Sequence, residues 1–215
     1  MTYLELVNGV MRRIREEEVS GVALNTYSKM IGDFVNDAKN LVETAWDWSG
    51  LKTTVVVSTV ADTHTYSLLG SKDDIKTMDV SNDTSGFFVP YRTSEWFRQQ
   101  HLSETTVRST PEYYTYNGLD ANGDSQVDLY PVPDNVYQLI FRCVLRNPPL
   151  TADADVIRIP WEPVLHFAVA LAARERGETG GTSTPEYFAI ADKYLSDAIA
   201  LDAQKHPYAT DWYTP

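Results

Sequence analysis

The stretch LKTTVVVSTVADTHTYSL, residues 51–68, is where the pattern of the chain changes. It is dense in Val and Thr, residue types that fit a pleated, half-buried surface, and it reads as strands over 53–60 and 63–68 with Asp62 at the turn between them. The same style continues downstream in strand windows at 75–80, 87–91, 113–117, 127–130 and 137–145, separated by Gly, Pro, Asn and Asp clusters. Only 94–102, with Trp96, Phe97 and Gln100, suits a short helix. The middle of the chain is therefore β-rich.

Upstream of this region the period is helical. Thr2 followed by Glu5 is a capping-box pattern, and Leu4, Val7, Met11 and Ile14 fall on one helical face. The other side carries Arg12, Arg13, Arg15 and Glu16 to Glu18, a solvated or subunit-contacting face, before Ser20 and Gly21 break the helix. A second helix begins near Asn25, with Tyr27, Met30 or Ile31, Phe34, Ala38, Leu41 and Ala45 as its apolar stripe. It closes on Trp46, Asp47, Trp48, Ser49 and Gly50. The two tryptophans cannot share a face, so one covers the helical core and the other packs on the next segment of chain.

Downstream, the helical character returns after Asn147, Pro148 and Pro149. Ile157 to Ile159 form an extended lead-in, Pro160 suits a first helical position, and 164–176 is nearly all apolar until a basic last turn, with Gly177 as the stop. Ser183, Pro185 and Glu186 open a last helix with a stripe of Tyr187, Ala191, Tyr194, Leu195, Ala198 and Leu201. Pro207 ends it and leaves an aromatic tail.

This order predicts an α+β fold: a discontinuous antiparallel helical bundle, built from N- and C-terminal helices, carrying a β-rich insertion. The expected divisions are an N-terminal helical segment at 1–49, the insertion at 50–150, a C-terminal helical segment at 151–206 packing on 1–49, and a C-terminal arm at 207–215. Neither helix pair can bury its stripe alone, so Leu4, Val7, Phe34, Leu41, Val164, Leu171, Ala191 and Leu195 are expected to share one core.

The 215 residues carry 18 Lys+Arg against 30 Asp+Glu, a net charge of −12. Such a chain lacks the basic footprint that neutralises phosphates, which argues against tight general binding to nucleic acid or an anionic membrane. The single cysteine, Cys143, reads as a small buried side chain in a strand. The first residues lack the apolar core of a signal peptide, and the longest apolar run, 167–173, is too short for a bilayer, which points to synthesis in a reducing cytosol.

No cofactor, metal or catalytic signature stands out. His64, His101, His166 and His206 show no ligand spacing, and a packed, hydrogen-bonded ring is expected for His166 in its apolar helix. Asp120, Asn122 and Asp124 begin like a calcium loop, but Ser125 replaces its Gly and Pro131 its terminal Glu, so a tight turn using Asn122 and Gly123 is the expectation. The aromatics Tyr66, Phe87, Phe88, Tyr91, Tyr113, Tyr114, Tyr116, Tyr130 and Tyr137 allow an alternative function, a carbohydrate-binding module or small glycan-active enzyme stacking sugars on the β region.

Three features together carry a resemblance: the helix at 1–18, the helix from Tyr27 closing on Trp46-Asp47-Trp48, and a strand pair at 53–68. The run Ile157-Arg158-Ile159-Pro160-Trp161 into an Ala-rich helix completes it. The chain resembles the head-to-tail adaptor (connector) proteins of tailed bacteriophages, related to tail tubular protein A. The resemblance implies a virion structural protein and no enzyme, in a ring of about twelve copies in the neck between capsid and tail. Its implied partners are the portal protein, a downstream tail or nozzle protein, other copies of itself, and DNA that passes through the lumen at genome ejection without sequence-specific binding, with no membrane. It also points to Tyr208, Trp212 and Tyr213 of the arm as partner-docking residues, the alternative being that they fold back on their own domain.

Overall fold

A computed structural model describes residues 1–72, 75–102, 107–177 and 184–205. It comprises five helices and two antiparallel sheets, an α+β fold. The chain divides into two compact units, one of Met1–Leu51 with Asn147–Pro215 and one of Lys52–Arg146.

The first unit is helical, with α1 (Tyr3–Arg13), α2 (Thr26–Ala45), α4 (Trp161–Glu175) and α5 (Thr184–Ala203). Thr2 caps α1 through a reciprocal box: its hydroxyl accepts from Glu5 N–H at 3.2 Å, and Glu5 accepts from Thr2 N–H at 2.8 Å. Asn25 and Ser28 cap α2 in the same way. In the first turn of α1, Tyr3 and Leu4 donate their N–H groups to the carbonyls of Asp155 and Asp153, and Ile157 and Ile159 are buried. Asn36 of α2 exchanges two hydrogen bonds with the Leu150 backbone. The most apolar helix, α4, is buried along most of its length and packs on α1, α2 and α5.

Three expectations for this unit change. On α5, Tyr194 and Leu201 of the expected stripe are exposed. Helix α1 ends at Arg13, not at Ser20. Glu16 N–H reaches the Met11 carbonyl and Arg15 N–H that of Arg12, a Schellman closure that holds Arg15 in the left-handed region at φ 62°. The acidic run 16–18 is therefore loop. The buried face of α2 is also rotated from the expected stripe: Ser28, Ile31, Gly32, Val35, Ala38, Lys39, Val42 and Glu43 are inside, Phe34 is half-buried, and Leu41 and Ala45 are exposed. The inward face hides three polar residues with partners: Ser28 donates to the Val22 carbonyl, while Lys39 bonds Glu43 and the Asn147 carbonyl. At the end of α2 the two tryptophans diverge. Trp48 is buried and donates its indole N–H to the Val42 carbonyl, while Trp46 donates to Asp202.

The second unit holds β1 (Lys52–Ser58), β2 (Thr65–Ser67), β3 (Ile75–Asn82), β4 (Phe87–Phe88), α3 (Ser94–His101), β5 (Tyr113–Leu119), β6 (Ser125–Tyr130) and β7 (Gln138–Leu145). They form a four-stranded sheet in the order β1-β7-β3-β4 and a three-stranded sheet in the order β2-β6-β5. Between the sheets lies a core of Val57, Leu68, Val80, Val89, Tyr114, Val127, Leu129, Leu139 and Phe141. This corrects the expected strand pair at 53–68: β1 and β2 belong to different sheets and do not pair. The reason is at Asp62, whose φ of 65° turns the chain, while Thr59 and Asp62 bond the Tyr137 and Pro133 carbonyls and not each other's strand.

Candidate interaction surfaces

On the four-stranded sheet the side chains alternate. Val57, Val80, Leu139, Phe141 and Cys143 are buried, and Thr54, Val56, Ser58 and Arg142 are exposed. One row crosses all four strands of the other face: Val56 stands opposite Ile140, Ile140 opposite Ser81, and Ser81 opposite Phe88. The row ends in two large exposed apolar side chains, Val56 at 56% and Phe88 at 71%. In the next row Arg142 lies 3.8 Å from Asp79, an ion pair in water that contributes little.

Apart from the exposed Phe88, many aromatic side chains of this unit pack on one another. Trp96 sits edge-on to Phe97, Tyr113 and Tyr130, with the Arg92 guanidinium 5.0 Å from the Tyr113 ring. Tyr114 is buried against Tyr91, Tyr116 and Phe141, and burial pushes its hydroxyl pKa up to about 12. The Tyr66 hydroxyl bonds Val60 and Thr63, and that of Tyr116 bonds Thr77. A sugar-stacking platform needs open, coplanar faces, and these rings meet edge to face instead.

The acidic cluster is a turn. Asp120 accepts the N–H groups of Asn122 at 2.7 Å and Asp124 at 3.0 Å, and these bonds hold its carboxyl below the usual range. Gly123, at φ 79°, closes the hairpin between β5 and β6, and the Asp124 carboxylate accepts from Gly70 and Lys72. Among the described residues, no group of three or more His, Cys, Asp or Glu is placed to hold a metal ion, and no helix is long and apolar enough to cross a membrane.

A protein-family model described as SU10 adaptor protein matches residues 1–213. The chain belongs to the SU10 adaptor protein family. It is thus a bacteriophage adaptor, a structural component of the virion. A search of curated proteins finds no match.

In this SU10 adaptor the helical unit offers a different surface from the sheet. A groove of about 490 Å³ runs between the start of α4 and the last turns of α5, lined by Pro160, Glu162, Tyr194, Asp197, Leu201 and Lys205. At its side Asp202, 5% exposed, accepts from Ser49 N–H at 2.9 Å and from the Trp46 indole at 3.2 Å, and receives Lys205 at 3.0 Å. Above it His166 stacks on Tyr194 at 4.1 Å, and burial with nearby Arg13 pushes the imidazole pKa down. The expected docking residues Tyr208, Trp212 and Tyr213 lie outside the described residues, as does His206.

Sequence reasoning did not single out Asp202, or the Lys39–Glu43 pair. A Lys and Glu four apart on a helix read by default as a solvated pair, and only the packing of α4 and 147–150 against α2 puts them inside. Val56 and Phe88 were legible as strand residues, but their shared row depends on three non-local pairings.

Proposed function

We propose that this adaptor forms a ring of about twelve copies beneath the portal protein, joining capsid to tail and lining the channel through which DNA leaves at ejection. The match of the SU10 adaptor family along residues 1–213 carries the reading. The net charge of −12 supports it, since a wall that lets DNA slide must not grip phosphates. In this reading the portal is the upstream partner, a tail or nozzle protein is the downstream one, and Tyr208, Trp212 and Tyr213 anchor the arm on a partner. Kinship with tail tubular protein A belongs to the same reading.

Mixing the full chain with the portal protein of the same phage and imaging the product by electron microscopy tests it. The expected product is a portal with an added ring. Portal particles left bare at saturating adaptor would overturn the proposal.

A further inference from the structure

Among the described residues the four-stranded sheet has two open edges: β1 pairs only with β7, and β4 only with β3. Thr59 donates its N–H to the Tyr137 carbonyl, and the register steps from that pair by twos, so Thr53, Val55 and Val57 turn their N–H and C=O groups toward β7. Thr54, Val56 and Ser58 turn theirs to the open edge. At the far side Val89 donates to the Val80 carbonyl, so Phe87 and Val89 face β3 and Phe88 turns its N–H and C=O outward.

Val56 and Phe88 are thus the two ends of one row, both on the same face, both exposed, and both with main-chain groups aimed off the sheet. Every neighbouring pair in the sheet is antiparallel, so β1 and β4 run in opposite directions. Set beside a second copy, the β4 edge meets the β1 edge antiparallel again, in the hydrogen-bonded phase that the alternation along the row requires. The edge of β1 also lacks the usual guards. KTTVVVS has one charge, at its first residue, and no Pro.

We propose that β4 of one copy pairs with β1 of the next, with Phe88 directly opposite Val56 of the second copy, so that the sheet continues from subunit to subunit. The proposal rests on the ring reading above. The contact joins two different edges, which is the heterologous geometry that closes rings. It is short, because Pro90 ends the run of N–H donors after β4, so each junction holds through a Phe–Val pair and a few main-chain hydrogen bonds. Junctions this small are weak singly and add up only when a template or a closed circle holds many at once.

Single-cysteine exchanges test the register, because directly opposed side chains in such a pair lie within disulfide reach. The full-length Val56→Cys and Phe88→Cys proteins are mixed, added to the portal protein, oxidised and run without reductant, with electron microscopy of the same sample. Cys143 is buried and stays in place. The expected result is a linked pair in the mixture, none from either protein alone, and a ladder of linked copies from the double variant. Self-linking of Val56→Cys as the main product would instead mean two-fold β1 pairing and overturn the proposal. Rings without links would overturn the edge pairing and leave the ring intact, whereas neither rings nor links would remove both. As a second arm, Val56→Lys should keep the melting temperature, since the side chain is exposed, and lose the ring. A Val56→Lys protein that folds and still forms rings would also sink the proposal.

Discussion

The Lys39 ammonium stands 3.0 Å from the Glu43 carboxylate one turn further along α2, and neither side chain has any surface in water. Lys39 also donates to the Asn147 carbonyl at 2.7 Å, so the pair fastens the chain where it returns to the helical unit. Removing one buried charge strands the other. Lys39→Ala should cost about 3–5 kcal/mol, whereas Lys39→Met combined with Glu43→Leu should cost less than either substitution alone. Urea unfolding of these variants beside the native chain measures this. Costs that simply add would show that the pair is not a unit.

The pH response of two buried carboxyls should run in opposite directions. Burial outweighs the attraction of Lys39 and holds the Glu43 carboxyl above its usual range. Its contribution is therefore full below the unfolded value of about 4.3 and is lost as pH rises through the folded value. Burial also pushes Asp202 upward, but Ser49 and Lys205 more than offset it and hold that carboxyl low. Its contribution is present above about pH 3.9 and is lost as pH falls through the folded value. The stability of the native protein relative to Glu43→Gln should therefore decline on raising the pH from about 4.5 to 7. Relative to Asp202→Asn, it should decline on acidification. Denaturant melts over that range for Glu43→Gln, and below about pH 4 for Asp202→Asn, check the two slopes, and a slope of the opposite sign in either would refute the assignment.

Gly50 has no room for a methyl group. A Cβ placed there would overlap the Arg158 carbonyl oxygen, and because that oxygen is backbone, no side chain can swing away to make space. Gly50→Ala should destabilise by about 1–3 kcal/mol through forced displacement of the 157–160 segment. A thermal melt indistinguishable from that of the native chain would show that the segment yields freely.

Deleting residues 208–215 should leave the melting temperature nearly unchanged and abolish or sharply weaken portal binding, because the arm is too short to make its own core yet carries interface-anchoring residue types. Calorimetry and a portal pull-down read the two effects separately. A large drop in melting temperature, or assembly at normal affinity, would return Tyr208, Trp212 and Tyr213 to a purely internal or dispensable role.

What the amino-acid sequence determined by itself is local. Thr2 with Glu5 and Asn25 mark helix starts because a cap needs only its own first turn. The turn at Asp120 to Gly123 follows from an Asp that bonds backbone two and four residues on and a Gly that accepts positive φ. The α+β class is legible because periods of 3.6 and 2 differ within a few residues. Tertiary structure alone decided the rest. The inward face of α2 follows the apolar stripe Ile31, Val35, Ala38 and Val42, but it also takes in Lys39 and Glu43 while Leu41 stays in water, a choice made by the partners that 147–150 and α4 bring to it. The end of α1 at Arg13 depends on a left-handed arginine, which residue type disfavours and the Schellman bonds impose. The assignment of β1 and β2 to different sheets, and with it the row from Val56 to Phe88, depends on pairing with β7 and β6 far along the chain. A strand's own residues state that it will pair and which side faces in, but its partner is set by contacts that form only once the sheets close on their common core.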